Sequence, residues 1–346
     1  MKEDKIIEKT ELDVITPMVE VAFQSRAGDK IRCDTCPIYC TLEEGEIGTC
    51  SGRQVINGKF IATNYAQISS LRVEPIEKKP LYHFYPGSEI VSIGPNGCNL
   101  SCSWCQNWPI TQNLSPTRVI MPSEMADIVD SLDGIGIAYT FAEPLIWYEY
   151  VRDVGRIMHE RGLLNVFITN GYVNTEPLRE LLKIADAFNV DLKSSEDSCY
   201  RDHCGGRIED VHRTIRHIHD SGKHIEISHI LVSSVSTELK KVEQLVDWIA
   251  LVDTQIPLHL TRYIPANHYN EPPTDMNFID KAYDIAKSKL QSVYLNGMSY
   301  VDGQDSICPS CGEVLVKRGE HSTELLGLNG NNCQTCGSRV YFQNAD

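Results

Sequence analysis

Short apolar runs alternate with longer amphipathic segments between residues 89 and 296. Each run is rich in β-branched residues and is bounded by turn residues, which is typical of a buried strand. The segments between the runs have apolar residues at helical spacing. The pattern predicts strands at 89–94, 134–141, 165–170, 187–193, 224–232, 257–264 and 292–296, and helices at 123–132, 144–162, 176–185, 209–222, 236–252 and 276–290.

This alternation predicts six consecutive strand–helix units, which form an α/β fold with a parallel sheet covered by helices. A doubly wound sheet and a barrel both have this order of elements. Candidate polar residues lie at the ends of several successive strands, and in a barrel those strand ends converge on one face. We therefore predict a partial (βα)6 TIM-like barrel at residues 89–300.

The segments on either side differ in composition from the predicted barrel. Residues 1–88 contain a compact stretch of cysteines and glycines and a hairpin pattern around Asn57-Gly58. Residues 301–346 contain two C-x-x-C-G sequences. We predict an N-terminal Cys-rich module at 1–88 and a separate small module at 301–346.

The chain has a formal net charge of −15. An acidic chain is not attracted to phosphate groups, so nucleic acid is not an expected partner. No apolar run approaches the ~20 residues of a membrane span, and the start, MKEDKIIEKTELDVI, lacks the apolar stretch of a signal peptide. We therefore expect a soluble cytoplasmic protein that has no membrane partner.

The thirteen cysteines indicate metal ligation. Disulfides are rare in the cytosol, and closely spaced cysteines in an intracellular protein usually bind a metal or a cluster. Eleven of the thirteen fall into three groups, which are 33/36/40/50, 98/102/105 and 308/311/333/336.

The C-terminal group has close to the spacing of a zinc ribbon. Four thiolates satisfy tetrahedral zinc, with a rubredoxin-like iron as the alternative. We predict a zinc-ribbon-like module whose ligands are Cys308, Cys311, Cys333 and Cys336.

The N-terminal group also offers four thiolates, but at a spacing that is not that of a standard ribbon. Zinc and an auxiliary iron–sulfur cluster are both compatible with it, and the sequence favours zinc only slightly. The predicted ligands are Cys33, Cys36, Cys40 and Cys50.

The middle group, Cys98, Cys102 and Cys105, follows the first predicted strand as C-x3-C-x2-C. Three thiolates on a [4Fe–4S] cluster leave one iron open, where a substrate or cofactor can bind. The alternative is a closed structural site that a fourth cysteine, such as Cys204, completes. The open site is favoured because active sites lie at the carboxyl ends of barrel strands.

This motif resembles that of the radical SAM superfamily. Within the superfamily, the chain is similar to the AmmeMemoRadiSam radical SAM enzymes, which are relatives of the activases of glycyl radical enzymes. The resemblance extends from about residue 31 over CDTCPIYC, EKKPLYHFYPGS, GCNLSCSWCQNW, the Glu143-Pro144 step, TNGY, DLK and CPSCG.

The resemblance implies a barrel of radical SAM type that binds S-adenosylmethionine (SAM) on the open iron. One electron from the reduced cluster then cleaves SAM to methionine and a 5′-deoxyadenosyl radical. It also implies a reductant protein such as ferredoxin or flavodoxin, and a protein substrate or AmmeMemo-system partners.

The resemblance further implies roles for two residues near the cluster. Trp104 precedes the last cysteine, where an aromatic residue is usual in the superfamily; its ring either packs on the adenine of SAM or simply fills the loop. Glu143, in YTFAEP, keeps the acid of the usual Gly-Gly-Glu-type motif without the glycines. It either binds the SAM ammonium group or caps the next helix.

Polar residues at later strand ends complete the predicted SAM site. Asn170 can hydrogen-bond to SAM or make a turn with the following glycine. Asp191 and Lys193 point to the same side, where they suit the zwitterionic end of SAM or form a simple ion pair. Arg262 can bind a carboxylate in bidentate fashion.

Two candidate catalytic residues lie in loops after the fourth and sixth predicted strands. Cys204 can give a hydrogen atom to a substrate radical, although a buried thiol is usually inert. His268 can reach the barrel mouth from its loop.

Three functions follow from these patterns. The first is a radical SAM enzyme, of oxidoreductase or lyase-like chemistry, that abstracts hydrogen from an unidentified substrate. The second is an activase that makes a glycyl radical on a partner protein, and the third is a non-catalytic iron–sulfur or zinc scaffold. The open three-cysteine site at the barrel mouth favours the first.

Overall fold

A computed structural model describes residues 17–132, 134–298, 303–319 and 322–343. The prediction that the chain starts without a signal peptide, and the predicted boundary at 300/301, lie outside these residues. No helix in the described ranges is long and apolar enough to cross a bilayer.

The described N-terminal segment contains short strands, which are β1 (Gln24–Ala27), β2 (Lys30–Cys33), β3 (Thr41–Leu42), β4 (Gln54–Ile56), β5 (Lys59–Ile61) and β6 (Gln67–Ile68). The first three form an antiparallel sheet, and β4 and β5 form the predicted hairpin. Its turn residues Asn57 and Gly58 have φ of 52° and 72°. Positive φ at both positions matches the twist of the flanking strands.

The chain continues with β7 (Ser70–Pro75), β8 (Glu89–Gly94), β9 (Arg118–Val119), β10 (Gly136–Tyr139), β11 (Leu164–Thr169), β12 (Ala187–Asp191), β13 (His224–Leu231), β14 (Leu258–Arg262) and β15 (Val293–Asn296). All except β9, which pairs with β6, form one sheet in the order β7-β8-β10-β11-β12-β13-β14-β15. The strand β7 is antiparallel to β8, and the other neighbours are parallel. The predicted parallel sheet is therefore confirmed. Its spatial order follows the chain, which excludes the doubly wound alternative, because that fold reverses strand order at a switch point.

Helices connect the parallel strands. They are α1 (Trp108–Thr111), α2 (Pro122–Asp130), α3 (Tyr148–Glu160), α4 (Thr175–Leu181), α5 (Asp197–Cys199), α6 (Ile208–Asp220), α7 (Leu239–Val252) and α8 (Met276–Lys287). The helix predicted at 144–162 is divided, since a 3₁₀ turn at Pro144–Trp147 precedes α3. The Glu143 carboxylate caps that turn by accepting from the Leu145 amide.

The apolar faces of the helices pack against the sheet. In α3, for example, Tyr150, Val151, Val154 and Met158 are fully buried. Burying one such side chain stabilises a fold by about 1.5–3 kcal/mol. Because helices cover the strands, the polar residues of the candidate site lie in the loops at the carboxyl ends of the strands.

The described C-terminal residues form a small unit with the strands β16 (Ser306–Ile307), β17 (Val314–Arg318), β18 (Thr323–Leu325), β19 (Leu328–Asn329) and β20 (Asn332–Cys333). Its own apolar cluster contains Leu315, Val316, Val340 and Phe342 together with two cysteines.

Candidate active site

Two glycines set the path of the cysteine loop after β8. A Cβ atom on Gly94 would lie 2.4 Å from the carbonyl oxygen of Thr140, and one on Gly97 would lie 2.0 Å from that of Cys50. Gly97 also has φ of +93°. Only glycine permits such close backbone approaches. The loop is therefore held against both the end of β10 and the N-terminal segment.

The sulfur of Cys98 faces hydrogen-bond donors from its own loop and from the end of β11. The Leu100 amide donates to it at 3.4 Å, and the Asn170 side-chain amide lies at 3.5 Å. Burial raises the pKa of the Cys98 thiol, and the Leu100 amide acts in the opposite direction. These donors stabilise a thiolate, which is the form that ligates iron.

Asn170 makes both the turn and the contact with the cysteine loop. Its Oδ1 accepts from the Tyr172 amide at 2.8 Å, as in a local Asx turn, and its Nδ2 donates to Asn99 Oδ1 at 2.9 Å. The turn holds the Asn170 side chain in a conformation that directs its amide nitrogen toward the sulfur of Cys98.

Glu143 is buried and acts as an acceptor for three protein groups. Its carboxylate accepts from the Leu145 amide at 2.9 Å, the Thr169 hydroxyl at 2.8 Å and the Asn170 amide at 2.8 Å. Burial raises the pKa of Glu143 to about 7, although these hydrogen bonds lower it. The capping role is thus present, and the same carboxylate holds the end of β11 in place.

Asp191 and Lys193 form an ion pair of 2.7 Å at the end of β12. Burial alone would lower the pKa of Lys193, but Asp191 and the nearby Cys102 raise it above its ordinary value. Beside them, the Ser228 hydroxyl is buried without a hydrogen-bond partner in the described residues. Ser228 pairs in register with Asp191 across parallel strands, so both side chains face the same side.

Cys204 lies beside the cysteine loop, at the end of a π-helix at Tyr200–Cys204. Its carbonyl accepts from the Ser101 amide at 2.9 Å. The neighbouring Cys204 thiol lowers the pKa of Cys102, against the opposing effect of burial. The third cysteine of the loop, Cys105, lies 3.2 Å from the Thr111 hydroxyl.

The sulfur spacing distinguishes the C-terminal group from the other two. Among the described residues, the only group of three or more ligand atoms that all lie within 4.8 Å of one another is Cys308, Cys311, Cys333 and Cys336. The sulfurs of Cys98, Cys102 and Cys105 do not gather this closely. A cluster with one cysteine per iron is larger than an ion and suits such spacing.

Trp104 is buried in an aromatic group that the motif alone does not predict. Its ring centroid lies 5.6 Å from that of His203 and 5.8 Å from that of Tyr269. The Asn267 amide donates to the Cys102 carbonyl at 3.4 Å. His203 lies in the π-helix after β12, and Asn267 and Tyr269 lie in the loop after β14. Their positions after predicted strands are the only signal in the sequence that could have found them.

Arg262 ends β14, and His268 lies in the segment that follows it. Arg262 donates from Nε to the Thr274 carbonyl at 3.1 Å. His268 is exposed, between two residues that reach the cysteine loop. The four N-terminal cysteines line one cavity together with Asn99, the neighbour of Cys98.

Comparisons with known proteins identify relatives of this chain. A sequence model described as the radical SAM superfamily matches residues 92–249. An uncharacterised protein of Methanocaldococcus jannaschii is 33% identical over 93% of this chain and 99% of its own length. A pyruvate formate-lyase-activating enzyme of Clostridium pasteurianum is 24% identical over 58% of this chain and 87% of its own length. A solved radical SAM methyltransferase from Sphaerobacter thermophilus has a TM-score of 0.47 at 17% identity, covering 84% of this chain and 81% of that one.

Proposed function

This chain belongs to the radical SAM superfamily and is an enzyme, and from that premise we propose that three cysteines bind a [4Fe–4S] cluster. The proposed ligands are Cys98, Cys102 and Cys105, and they leave one iron open for SAM. When bound, the cluster supplies one electron that cleaves SAM to methionine and a 5′-deoxyadenosyl radical, which abstracts hydrogen from a substrate. The observation that carries this proposal is the contact of Asn170 with the sulfur of Cys98. This contact connects the end of β11 to the cysteine loop.

We assign the SAM-binding roles to side chains around that loop. The Asp191–Lys193 pair offers both charges that complement the zwitterionic methionine end of SAM, and the unpaired Ser228 hydroxyl offers a further polar contact. Trp104 provides an apolar surface for the adenine, and Arg262 provides guanidinium donors for a carboxylate. Glu143 orients the β11 turn through the Asn170 amide.

The side chains that contact the substrate radical are proposed from the same loops. Cys204 is a fully buried thiol next to Cys102, where it can give up a hydrogen atom. His268 lies at the exposed edge. We further propose a partial barrel that excludes water from these groups, and a reductant protein such as ferredoxin or flavodoxin.

Zinc is the proposed occupant of the C-terminal site. Two sulfur pairs, Cys308–Cys336 and Cys311–Cys333, are each 3.7 Å apart. Tetrahedral Zn–S bonds of about 2.3 Å place thiolates about 3.8 Å apart.

Activation of a partner protein is a second candidate function. The similarity to a pyruvate formate-lyase-activating enzyme favours it, and partners of AmmeMemo type are candidate substrates. A glycyl radical detected on such a partner by electron paramagnetic resonance, after incubation with SAM and reductant, would support this candidate.

The proposed function is tested with anaerobically reconstituted protein, dithionite and SAM. The wild-type chain should release 5′-deoxyadenosine, and Cys98→Ala, Cys102→Ala and Cys105→Ala should each abolish the release. Cys311→Ser, which removes a thiolate from the C-terminal site, is the control and should retain activity. If all three alanine variants keep the wild-type yield, the proposed function is wrong.

A further inference from the structure

The four N-terminal cysteines line one cavity together with Asn99, which belongs to the active-site loop. We propose that Cys33, Cys36, Cys40 and Cys50 bind a [4Fe–4S] cluster rather than zinc, and that this cluster passes electrons to the one at the active site. The electron transfer rests on the proposed function, whereas the identity of the metal does not.

The fold gathers these four side chains around one cavity. Cys33 ends β2, and its amide donates to the Cys40 carbonyl at 2.8 Å, so the loop between them closes on itself. Cys50 comes from the following turn. Cys33, Cys36 and Cys50 are buried and Cys40 is partly exposed. Four thiols around one cavity offer the four thiolate ligands that a zinc ion or a [4Fe–4S] cluster requires.

The C-terminal and N-terminal groups of four cysteines differ in how closely their sulfurs gather, and this difference distinguishes a zinc site from a cluster site. The C-terminal thiols, at 3.7 Å for two pairs, have the spacing that a single tetrahedral ion requires. The N-terminal sulfurs are not among the described ligand atoms that gather this closely, although all four cysteines line the same cavity. Thiolates that bind the four corners of a cubane are held farther apart than thiolates on one ion.

Polar groups around the cavity suit a negatively charged cluster. The Thr35 hydroxyl lies 3.5 Å from the sulfur of Cys33, and the Thr49 hydroxyl lies 3.5 Å from that of Cys40. Hydrogen bonds to ligand sulfurs tune the potential of a cluster. Arg53 lines the same cavity and is fully buried. Its guanidinium pairs with the buried carboxylate of Glu149 at 2.8 Å, so the pair adds little net charge to the cavity.

One side chain separates the two proposed clusters. Asn99 lines the N-terminal cavity, while its Oδ1 accepts from Asn170 and lies 3.9 Å from the sulfur of Cys98. Beside it, Gly97 packs directly on the carbonyl of Cys50. In the proposed transfer, a reduced ferredoxin or flavodoxin gives one electron to the N-terminal cluster near the partly exposed Cys40. That cluster is oxidised again when it passes the electron to the active-site cluster.

The metal content of the full-length wild-type protein tests the first part. After anaerobic reconstitution, we expect the protein to contain about eight irons, eight sulfides and one zinc per chain. A content of about four irons and two zincs would overturn it.

Variants assign the metals to their sites. The triple variant C98A/C102A/C105A should keep about half of the iron and show the signal of a reduced [4Fe–4S] cluster, whereas C33A/C36A should lose about half of the iron. C308S/C311S is the control and should lose zinc alone. A triple variant that contains zinc but no iron would contradict the proposal, even where C33A/C36A fails to fold.

Electron exchange is tested by paramagnetic resonance of the reduced wild-type protein. Two adjacent reduced clusters should give a signal broadened by spin coupling, and the triple variant should give a simple one. Uncoupled signals in the wild-type protein would overturn the transfer. If the triple variant binds four irons but the wild-type protein cleaves no SAM, the second cluster stands and the proposed function fails.

Discussion

At the scale of single residues, the partly buried pair Asp191–Lys193 carries the charge of the proposed SAM site. Lys193→Met keeps the length of the side chain but leaves Asp191 without its partner. Hydrogen bonds to charged groups are worth about 1.5–3 kcal/mol, so the Kd for SAM should rise by about 10–100-fold. Equilibrium binding of SAM to the reconstituted protein measures this.

A surface lysine provides the matched control for that change. Lys183 pairs with Glu180 at 2.7 Å, but both side chains are solvent-exposed. Exposed pairs contribute about 0–1 kcal/mol, so Lys183→Met should leave SAM affinity unchanged. Equal effects of the two substitutions would place the Asp191–Lys193 pair outside the SAM site.

Asn170 is expected to tune the active-site cluster through Cys98. Asn170→Asp replaces the amide that faces the sulfur with a carboxylate of the same shape. The added negative charge disfavours reduction, so the midpoint potential should fall by tens of millivolts while iron content stays constant. A redox titration followed by paramagnetic resonance measures the shift.

The exposed Asn113→Asp adds the same charge near the loop without contacting Cys98. It should leave the potential close to the wild-type value. A shift of the same size in both variants would mean that overall charge, and not the Asn170 contact, sets the potential.

Residues that act through a local motif were predictable, whereas those brought in from distant loops were not. The three cysteines are recognisable by their spacing, and Asn170, Asp191 and Lys193 lie at the ends of predicted strands. By contrast, Asn267 contacts Cys102 across 165 residues of sequence. A contact of that kind depends on how two loops are folded, which no local pattern specifies.

At the scale of elements, Gly97 joins the active-site loop to the N-terminal segment. Gly97→Ala adds a Cβ at 2.0 Å from the Cys50 carbonyl, in a region of φ that L-residues rarely adopt. The two backbones must separate, so we expect loss of most of the iron and of 5′-deoxyadenosine formation. Iron analysis of the purified variant measures this.

Gly45 is the control position, because alanine there introduces backbone strain without a steric clash. It has φ of +81° and no heavy atom within 4 Å of an added Cβ. Gly45→Ala should therefore cost only about 1 kcal/mol of stability and keep the iron. A Gly45→Ala variant that loses as much iron as Gly97→Ala would show that strain alone explains the loss.

The order of elements was predictable because helical and strand periodicities differ, but their limits were less so. The strand predicted at 134–141 ends at Tyr139, since Phe141 adopts φ of 64°. The Phe141 carbonyl accepts from the Asn107 side chain in the cysteine loop at 2.7 Å. This partner is remote in sequence, so periodicity could not place the end of the strand.

At the scale of the whole molecule, a buried polar network ties the central sheet to the C-terminal residues. Glu226 of β13 accepts from His224 at 3.0 Å, from His259 at 2.7 Å and from the His83 amide at 2.7 Å. Although burial raises the pKa of Glu226, its hydrogen bonds to His224 and His259 lower it well below the ordinary value. The His83 ring in turn contacts the Tyr341 carbonyl. The network therefore joins segments that the sequence places in three modules.

His83 makes this junction sensitive to acid. Burial lowers the pKa of His83 to about 3, despite the opposing effect of Glu226. Below the ordinary value of about 6.5 the unfolded chain binds a proton that the folded chain does not. The stabilising contribution is therefore complete above pH 6.5 and is lost as the pH falls toward 3, at up to about 1.4 kcal/mol per pH unit.

His83→Gln should remove this dependence while retaining hydrogen-bonding groups. Chemical unfolding between pH 7 and pH 4 should show a shallower fall of the free energy of unfolding than in the wild-type protein. Acid loss of metal affects both proteins alike, so the difference between their slopes isolates His83. His217, exposed on α6, is the matched control, and His217→Gln should keep the wild-type slope. If His83→Gln has the wild-type slope as well, proton uptake at His83 does not limit the acid stability of this junction.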